Sequence, residues 1–400
     1  MRIFYNIPFK NNFGDKSASD RWLIIALIIA TIAQNYYDLL SIMDGEELAL
    51  FSYQGPLFIK LGKDICYFMI LGAIVWHVKK SKRFPPLGIG FLIFVIVSYL
   101  MIVSMYFNGI LMAIIGFRWI LPFLIFLLMN NWIETVDREF FANFLVAAMV
   151  GCFAVQLVQL FIMPPVFGEI GLGLAARTPG FFLAPNSAAF FGCSGAALTM
   201  VVYRYRGWLP NISILLAFCI GALAQPGTGL VVALLLALWK ICYPKLIKFT
   251  FSALLLAPIA FLNLNDITQR EDYLELSGGG RIDVLQNIFE ESFVSIASFG
   301  KYTNAANLLS DNLDSKIAPD SLVAAWIGNF GALWPLVTIV IILFCATKMA
   351  KISQNYVTAP VIVFFLFGLT TIIFEAFPMN MIIAIAIWWS RLTAQERGVV

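Results

Sequence analysis

Residues 87–129 read LGIGFLIFVIVSYLMIVSMYFNGILMAIIGFRWILPFLIFLLM, and Arg118 is the single charged side chain in this run. The Asn108-Gly109 pair divides the run into two apolar segments of roughly 20 residues, the length that an α-helix needs to cross a bilayer. Because backbone polar groups in lipid must be satisfied within a helix or a closed barrel, such segments predict two transmembrane helices. This stretch indicates an all-α integral membrane protein.

The composition of the whole chain agrees with that class. Of its 400 residues, 61% are hydrophobic and only 12% are charged, and the mean hydropathy is +0.87. Soluble domains carry about half apolar and about a quarter charged residues. The net charge of +3 gives no argument for a nucleic-acid partner. Six cysteines occur singly, without the spacing of a disulfide framework or a metal site. The loops contain no DxD-type carboxylate pair, HExxH, P-loop or Cys/His cluster, so we expect neither metal nor cofactor.

The apolar segments predict a polytopic protein with about twelve transmembrane helices, in which residues 1–400 form a single membrane domain. We expect a large periplasmic loop over 265–320, between spans nine and ten. Loops of that length in a compact protein are usually functional. The predicted spans cover residues 22–40, 57–77, 87–106, 109–129, 140–163, 184–203, 210–224, 228–242, 246–264, 321–345, 357–375 and 378–392.

Lysine and arginine set the predicted orientation. Cytoplasmic loops of membrane proteins carry an excess of these residues. With the N-terminus inside, most of the 26 lysines and arginines fall on the cytoplasmic side of the predicted spans. We therefore expect both termini to be cytoplasmic.

Arg118 lies about midway along predicted span four. A guanidinium at that depth costs about 3 kcal/mol unless it is paired or faces water. Two interpretations stay open: a structural ion pair inside the helix bundle, and a contact with an anion in a cavity.

A second arginine precedes the start of span six. Arg177 is followed by Thr-Pro-Gly180, and Pro185 and Asn186 open the span as residues typical of a first turn or a cap. A helix N-terminus attracts anions through its unpaired N–H groups. Arg177 at this position is a candidate phosphate clamp or, alternatively, an ordinary loop cation near lipid headgroups.

The long loop contains a third arginine. Three glycines precede Arg281, and Ile282, Leu285, Ile288, Phe289 and Phe293 then recur at helical spacing. This pattern predicts an amphipathic helix that lies at the membrane surface, with Arg281 at its N-terminal end. The alternative is a surface helix with a solvated arginine.

Carboxylates are frequent in the same loop. Asp283 and Glu290 lie off the apolar face of the predicted helix, and Asp320 follows Pro319 at the start of span ten. Asp320 is expected either to cap that helix or to face the mouth of the bundle.

Four stretches resemble the bacterial polysaccharide polymerase and O-antigen ligase superfamily of membrane glycosyltransferases. The twelve-span plan with a large loop between spans nine and ten is similar along nearly the whole chain. The stretches are Phe117-Arg118-Trp119, Arg177-x-x-Gly180 with Pro185-Asn186, Gly280-Arg281, and the run PDSLVAAWIGNFGALW over 319–334.

Two departures from the ligases favour a polymerase of the Wzy type. Ligases have a histidine near the start of span ten, where this chain has Asp320, and the lone His77 lies at the cytoplasmic end of span two. The Ser-Arg element that ligases carry between spans seven and eight is replaced by Pro226-Gly-Thr-Gly229.

The resemblance implies a GT-C-like, metal-independent enzyme of the bacterial inner membrane. It would join undecaprenyl-diphosphate-linked oligosaccharides, which serve as donor and acceptor, among membrane lipids and with a chain-length regulator protein as a further partner. Arg177, Arg281 and Asp320 would be catalytic. The residues expected to bind substrate are Arg118, Gly180, Pro185, Asn186, Arg270, Asp283 and Glu290.

Two other functions stay open from the sequence. One is the O-antigen ligase, which transfers polymer to lipid A-core. The other is a transporter or flippase of lipid-linked oligosaccharide, a class in which internal repeats and several intramembrane ionisable residues are typical. No part of the first half of the chain is repeated in the second half. Arg118 is the charged residue that lies deep within a predicted span.

Overall fold

The fold is taken from a computed structural model of the chain. The structure describes residues 18–43, 57–81, 87–129, 132–162, 178–182, 184–225, 227–243, 245, 248–250, 252–254, 283–293, 295–303, 306, 319, 321–340 and 358–395.

The described residues are helical, with short connecting turns and no strand among them. The helices are α1 (Ala18–Met43), α2 (Leu57–Ser81), α3 (Leu87–Asn108), α4 (Ile110–Leu128), α5 (Arg138–Ile162), α6 (Pro185–Val202), α7 (Leu209–Ala224), α8 (Gly227–Cys242), α9 (283–292), α10 (Leu322–Phe330), α11 (Ala359–Gly368) and α12 (Met379–Gln395). After α10 a 3-10 turn, Gly331–Leu333, leads into a further helical stretch over 334–340.

Four of the described helical segments are long and apolar enough to cross a membrane. They are Leu61–Lys80, Ile110–Leu128, Arg138–Phe161 and Leu322–Val340. Shorter apolar helical segments are Leu92–Asn108, Leu209–Ala224, Gly227–Cys242, Ala359–Gly368 and Met379–Ser390. Most of predicted span nine lies outside the described residues. The all-helical class is confirmed, while the number of twelve spans and the position of a membrane stay predictions.

One predicted span is shorter than expected. The helix predicted over 357–375 ends at Gly368, and the chain then turns through a 3-10 turn, Ile373–Glu375. Ile372, Ile373 and Phe374 are apolar because they are buried in the bundle, not because they extend a helix. Segment 369–378 therefore forms a packed turn between α11 and α12.

Helix α6 is the centre of the bundle. Every residue from Ala188 to Val201 is buried, and α5, α7, α8, α11 and α12 all pack on it. A helix that is apolar all round is expected to be enclosed in this way. Its small residues allow close approach: a Cβ at Gly195 would lie 2.6 Å from Met149 Sδ of α5. The first turn of α6 is thereby fixed relative to five neighbours.

A segment of the long loop is packed into the bundle beside α3, α4 and α10. Asn329 of α10 accepts a hydrogen bond from Gly300 N at 2.9 Å and donates to Tyr302 O at 2.7 Å. Phe299 is buried against α4, where a Cβ at Gly116 would lie 2.5 Å from its ring. The glycine and asparagine of the Ile-Gly-Asn-Phe-Gly run thus have a structural function, which is to hold residues 295–303.

Helix α9 packs with only part of its apolar face. Ile288 is fully buried against Tyr302 and Ala324, whereas Phe289 and Phe293 are 38% and 48% exposed. Only the Ile288 part of the predicted apolar face is therefore packed against the protein, and the two phenylalanines remain exposed. Their rings contact each other, with centroids 4.9 Å apart, and form a separate exposed ridge.

Tyr302 connects the packed segment to α9 through its hydroxyl. Tyr302 Oη donates to Glu291 Oε2 at 3.1 Å. Burial raises the pKa of the Tyr302 hydroxyl well above its usual value, and the neighbouring Glu291 charge acts in the same direction. The phenol therefore stays a donor at physiological pH, and α9 is held by a hydrogen bond as well as by Ile288.

Candidate functional site

Arg118 forms an ion pair inside the helix bundle. Its Nε donates to Asp64 Oδ1 of α2 at 2.9 Å, and the two side chains are 35% and 19% exposed. The structure therefore contains the ion pair that was one of the two alternatives for this arginine. A pairing of this kind offsets much of the cost of a charge at this depth. Contact with an anion stays a prediction.

The residues beside Asp64 on α2 reach the turn between α11 and α12. Tyr67 is buried and donates to Asn380 Oδ1 of α12, and Asn380 Nδ2 donates to Phe374 O at 3.0 Å. Lys63 Nζ lies 5.0 Å from the centroid of the Phe377 ring, within the range of a cation–π contact. The second and third turns of α2 are thus joined by polar contacts to the first turn of α12 and the residues before it.

Gly180 is held by both atoms of the Gln159 side-chain amide. Gly180 N donates to Gln159 Oε1 and Gln159 Nε2 donates to Gly180 O, each at 2.8 Å. The glycine has φ of +63°, and a Cβ there would lie 2.6 Å from Cys152 Sγ. Only glycine satisfies both the left-handed backbone and this close approach to α5.

Thr178 is fixed to a second helix. Gln156 Nε2 donates to Thr178 O at 2.7 Å, while Thr178 N and Oγ1 both donate to Leu223 O of α7, at 3.2 and 3.1 Å. Thr178, Pro179 and Gly180 are all buried. The residues that immediately follow Arg177 in the sequence are therefore rigidly anchored between α5 and α7.

Asn186 lies in the first turn of α6 but does not cap it. Pro185 is the first helical residue, as predicted, and Ala184 occupies the cap position without a side-chain hydrogen bond. Asn186 Nδ2 instead donates to Thr371 Oγ1 at 2.8 Å, across to the turn after α11. Its Oδ1 is buried and has no hydrogen-bond partner among the described residues.

These contacts converge on one end of the bundle, which we call the polar end. It is formed by the first three turns of α2, the first turns of α6 and α12, the Arg118 region of α4 and the turn 369–378. That turn links α6 to α2, because Thr371 contacts α6 while Phe377 contacts α2. Asn380, at the start of α12, also contacts α2. The polar end comprises Lys63, Asp64, Tyr67, Arg118, Asn186, Thr371 and Asn380.

Several predicted site residues cannot be placed. Arg177, Arg270, Arg281 and Asp320 lie outside the described residues. The neighbouring Ser321 caps α10, and its Oγ accepts from Ala324 N at 3.1 Å.

The two carboxylates predicted on α9 face outward. Asp283 and Glu290 are exposed, and Glu290 Oε1 accepts from Gln286 Nε2 at 2.9 Å. Neither has a recorded contact with the polar end. Their expected contact with substrate stays a prediction.

The sequence analysis did not identify several residues that form or support the polar end. Asp64 was not selected, although it is the lone carboxylate of predicted span two. Gln156 and Gln159 were also missed, although two glutamines three residues apart near the end of an apolar span are a recognisable signal, because intramembrane polar groups need partners. Asn380 and Thr371 gave no signal of their own, since their partners are distant in the sequence.

The described residues contain no cluster of three or more His, Cys, Asp or Glu side chains that would hold a metal ion. The polar end contains a guanidinium paired with a carboxylate, an ammonium group, and amide and hydroxyl groups. The guanidinium, ammonium, amide and hydroxyl groups can donate hydrogen bonds to phosphate and sugar oxygens.

Comparison of the chain with models of known families, with characterised proteins and with solved structures gives no match in any of the three. Fold and site together define the class as an all-helical protein with membrane-length helices and a polar end.

Proposed function

We propose that the chain is a polysaccharide polymerase of the O-antigen type, acting in the bacterial inner membrane with both termini in the cytoplasm. It would be a metal-independent glycosyltransferase that joins undecaprenyl-diphosphate-linked repeat units at the periplasmic face. A chain-length regulator protein would be a further partner. The proposal includes twelve spans and a periplasmic loop over 265–320.

The observation that supports this proposal most strongly is the anchoring of residues 178–180. Gln156, Gln159 and Leu223 fix this backbone on two helices, directly after Arg177 and shortly before Asn186. Cations that stabilise developing charge act best when the surrounding structure holds them in advance. An arginine attached to so rigid a segment suits the binding of a diphosphate better than an incidental contact with headgroups.

The proposed reaction balances without a metal or an external oxidant. A hydroxyl on the non-reducing end of the acceptor glycan attacks the anomeric carbon of the donor. The bond between that carbon and the diphosphate oxygen breaks, and undecaprenyl diphosphate leaves with the electron pair. The hydroxyl proton passes to a carboxylate base, and Asp320 is our first candidate because Asp283 and Glu290 lie on the outer surface of α9.

Each cation then has a separate role in this proposal. Arg177 and Arg281 bind the diphosphate and stabilise the charge that builds on it as it leaves, and Arg118 is a third contact. Pro185, Asn186 and Arg270 line the path of the glycan, and the buried Gly180 anchors the segment that follows Arg177.

A purified assay tests the reaction directly. The full chain in nanodiscs is given one lipid-linked repeat unit, and products are followed by gel and mass spectrometry. We expect dimers and longer oligomers, one undecaprenyl diphosphate released per bond, and unchanged rates with a chelator. Movement of the lipid across a bilayer without bond formation would instead identify a flippase, and transfer only to lipid A-core would identify a ligase.

A further inference from the structure

Asp64 and Arg118 contact each other through one edge of the guanidinium only. Arg118 Nε donates to Asp64 Oδ1 at 2.9 Å. Within the described residues the terminal nitrogens Nη1 and Nη2 have no hydrogen-bond partner. The Arg118 side chain is 35% exposed, so part of it is accessible from outside the packed core.

A purely structural pair is expected to look different. Arginine and carboxylate pairs frequently form two parallel hydrogen bonds, and this pair forms one. Arginine has five donors, and here the carboxylate occupies the Nε position. The planar fork of Nη1 and Nη2 is the part of the side chain that matches two oxygens of a phosphate.

We propose that Asp64 is a positioning residue that orients Arg118 so that Nη1 and Nη2 bind a phosphate group of a polyprenyl diphosphate. This inference rests on the proposed function for the identity of that lipid, and it adds Asp64 and a defined geometry to the site. Asp64 holds the guanidinium through Nε and offsets the cost of its charge when no ligand is bound. Nη1 and Nη2 therefore have a fixed orientation before the ligand arrives, which reduces the conformational entropy lost on binding.

The surroundings of the pair hold it in place. Lys63, the neighbour of Asp64 on α2, lies 5.0 Å from the centroid of the Phe377 ring. Tyr67, one turn further along α2, is fixed by Asn380, so this part of the helix is held in place. Asp64 and Lys63 are therefore presented by a rigid element, as a site that requires accurate geometry needs.

Binding of farnesyl diphosphate to the purified full chain in detergent tests this proposal. We expect Asp64→Asn to weaken binding about tenfold or more, since a charge-assisted hydrogen bond is lost. Arg118→Lys is expected to lose binding to a similar degree, because lysine retains the charge but has no fork. Glu134→Gln is the matched control: it removes an exposed carboxylate from the connection between α4 and α5, and we expect wild-type affinity.

The charge-swapped double variant, Asp64→Arg with Arg118→Asp, separates positioning from stability. It restores opposite charges between α2 and α4, so we expect a thermal stability near that of the wild type. It moves the guanidinium to the other helix, so we expect farnesyl diphosphate binding to stay lost. Recovery of both stability and binding in the swap would overturn the proposal, as would wild-type affinity in Asp64→Asn.

Competition experiments identify the source of the phosphate. Displacement by farnesyl phosphate, but not by inorganic pyrophosphate, assigns the site to a lipid. Equal displacement by pyrophosphate would contradict the lipid assignment and leave a site for a free anion. Because no glycan is present, this result is independent of polymerisation: Asp64-dependent binding in a chain that makes no polymer would refute the proposed function and not this inference.

Discussion

Gln159 of α5 and Gly180 exchange two hydrogen bonds of 2.8 Å, so one side-chain amide satisfies both polar groups of a buried glycine. The glycine belongs to the Arg-x-x-Gly element, and the glutamine lies 21 residues before it in a predicted span. This pairing connects a loop that carries a candidate catalytic arginine to the rigid interior of the bundle.

Replacement of that glycine should damage both stability and activity. Gly180→Ala places a Cβ 2.6 Å from Cys152 Sγ, and alanine at φ of +63° is itself strained. We expect a loss of about 2–4 kcal/mol in the free energy of unfolding, from overpacking and backbone strain together. Gly207→Ala is the matched control, because Gly207 has φ of +87° and open space around its Cβ position. Equal melting temperatures of the two variants in detergent would refute the role assigned to the contact.

The Asn186–Thr371 hydrogen bond should be detected by a double-mutant cycle. Asn186→Ala, Thr371→Val and the double variant are compared for thermal stability, and we expect a coupling of about 0.5–1.5 kcal/mol. Asn186 also has a buried oxygen without a partner among the described residues. We therefore expect Asn186→Ala to reduce polymer formation more than Thr371→Val, and equal activities would argue against a substrate contact at Asn186.

Arg177 and Arg281 should be required for activity but not for folding. We expect Arg177→Ala and Arg281→Ala each to reduce turnover about 100-fold or more, as for other donors that stabilise transition-state charge. Membrane insertion and melting temperature should stay at wild-type values, because neither residue lies inside a predicted span. Lys301→Ala removes an exposed cation from the same loop and should be fully active. Wild-type activity in both arginine variants would contradict the proposal that Arg177 and Arg281 bind the diphosphate.

Asp320 and Ser321 are neighbours with different expected roles. Ser321→Ala removes the cap of α10 and should cost about 1 kcal/mol of stability while the specific activity of the folded protein stays unchanged. Asp320→Asn should have the opposite effect, with normal stability and a large loss of turnover, if Asp320 is the base. Melting curves and turnover measured on both purified variants distinguish the two roles, and an active Asp320→Asn protein would contradict the assignment.

The Phe289–Phe293 ridge should contact lipid. Both rings are exposed at the C-terminal end of α9 and contact each other, and Asn287 is exposed on the same helix. We expect Phe293→Trp to add fluorescence that lipids brominated near the headgroup quench in nanodiscs, and Asn287→Trp to add fluorescence that they quench much less. Equal quenching at the two positions would show that the ridge does not mark the membrane-facing side.

Hydropathy predicted the helices well because it measures which residues avoid water. For the same reason it extended the eleventh helix through Ile372 and Phe374, which are buried in a turn. The cost of a deep charge correctly indicated that Arg118 needs a partner, but not that Asp64 supplies it, because pairing between spans depends on packing. Gly180 could be predicted from the Arg-x-x-Gly motif. The role of Gln159 is visible only in the structure, where α5 lies beside Gly180.

The most direct test of the central claim is a lipopolysaccharide gel of the source bacterium with this gene deleted, in a strain that makes an O-antigen. The account predicts core capped by a single repeat unit, with the long ladder lost and then restored by the wild-type gene. Restoration should fail with the Arg177→Ala gene. An unchanged ladder in the deletion strain, or bare core without any repeat unit, would contradict the assignment as a polymerase.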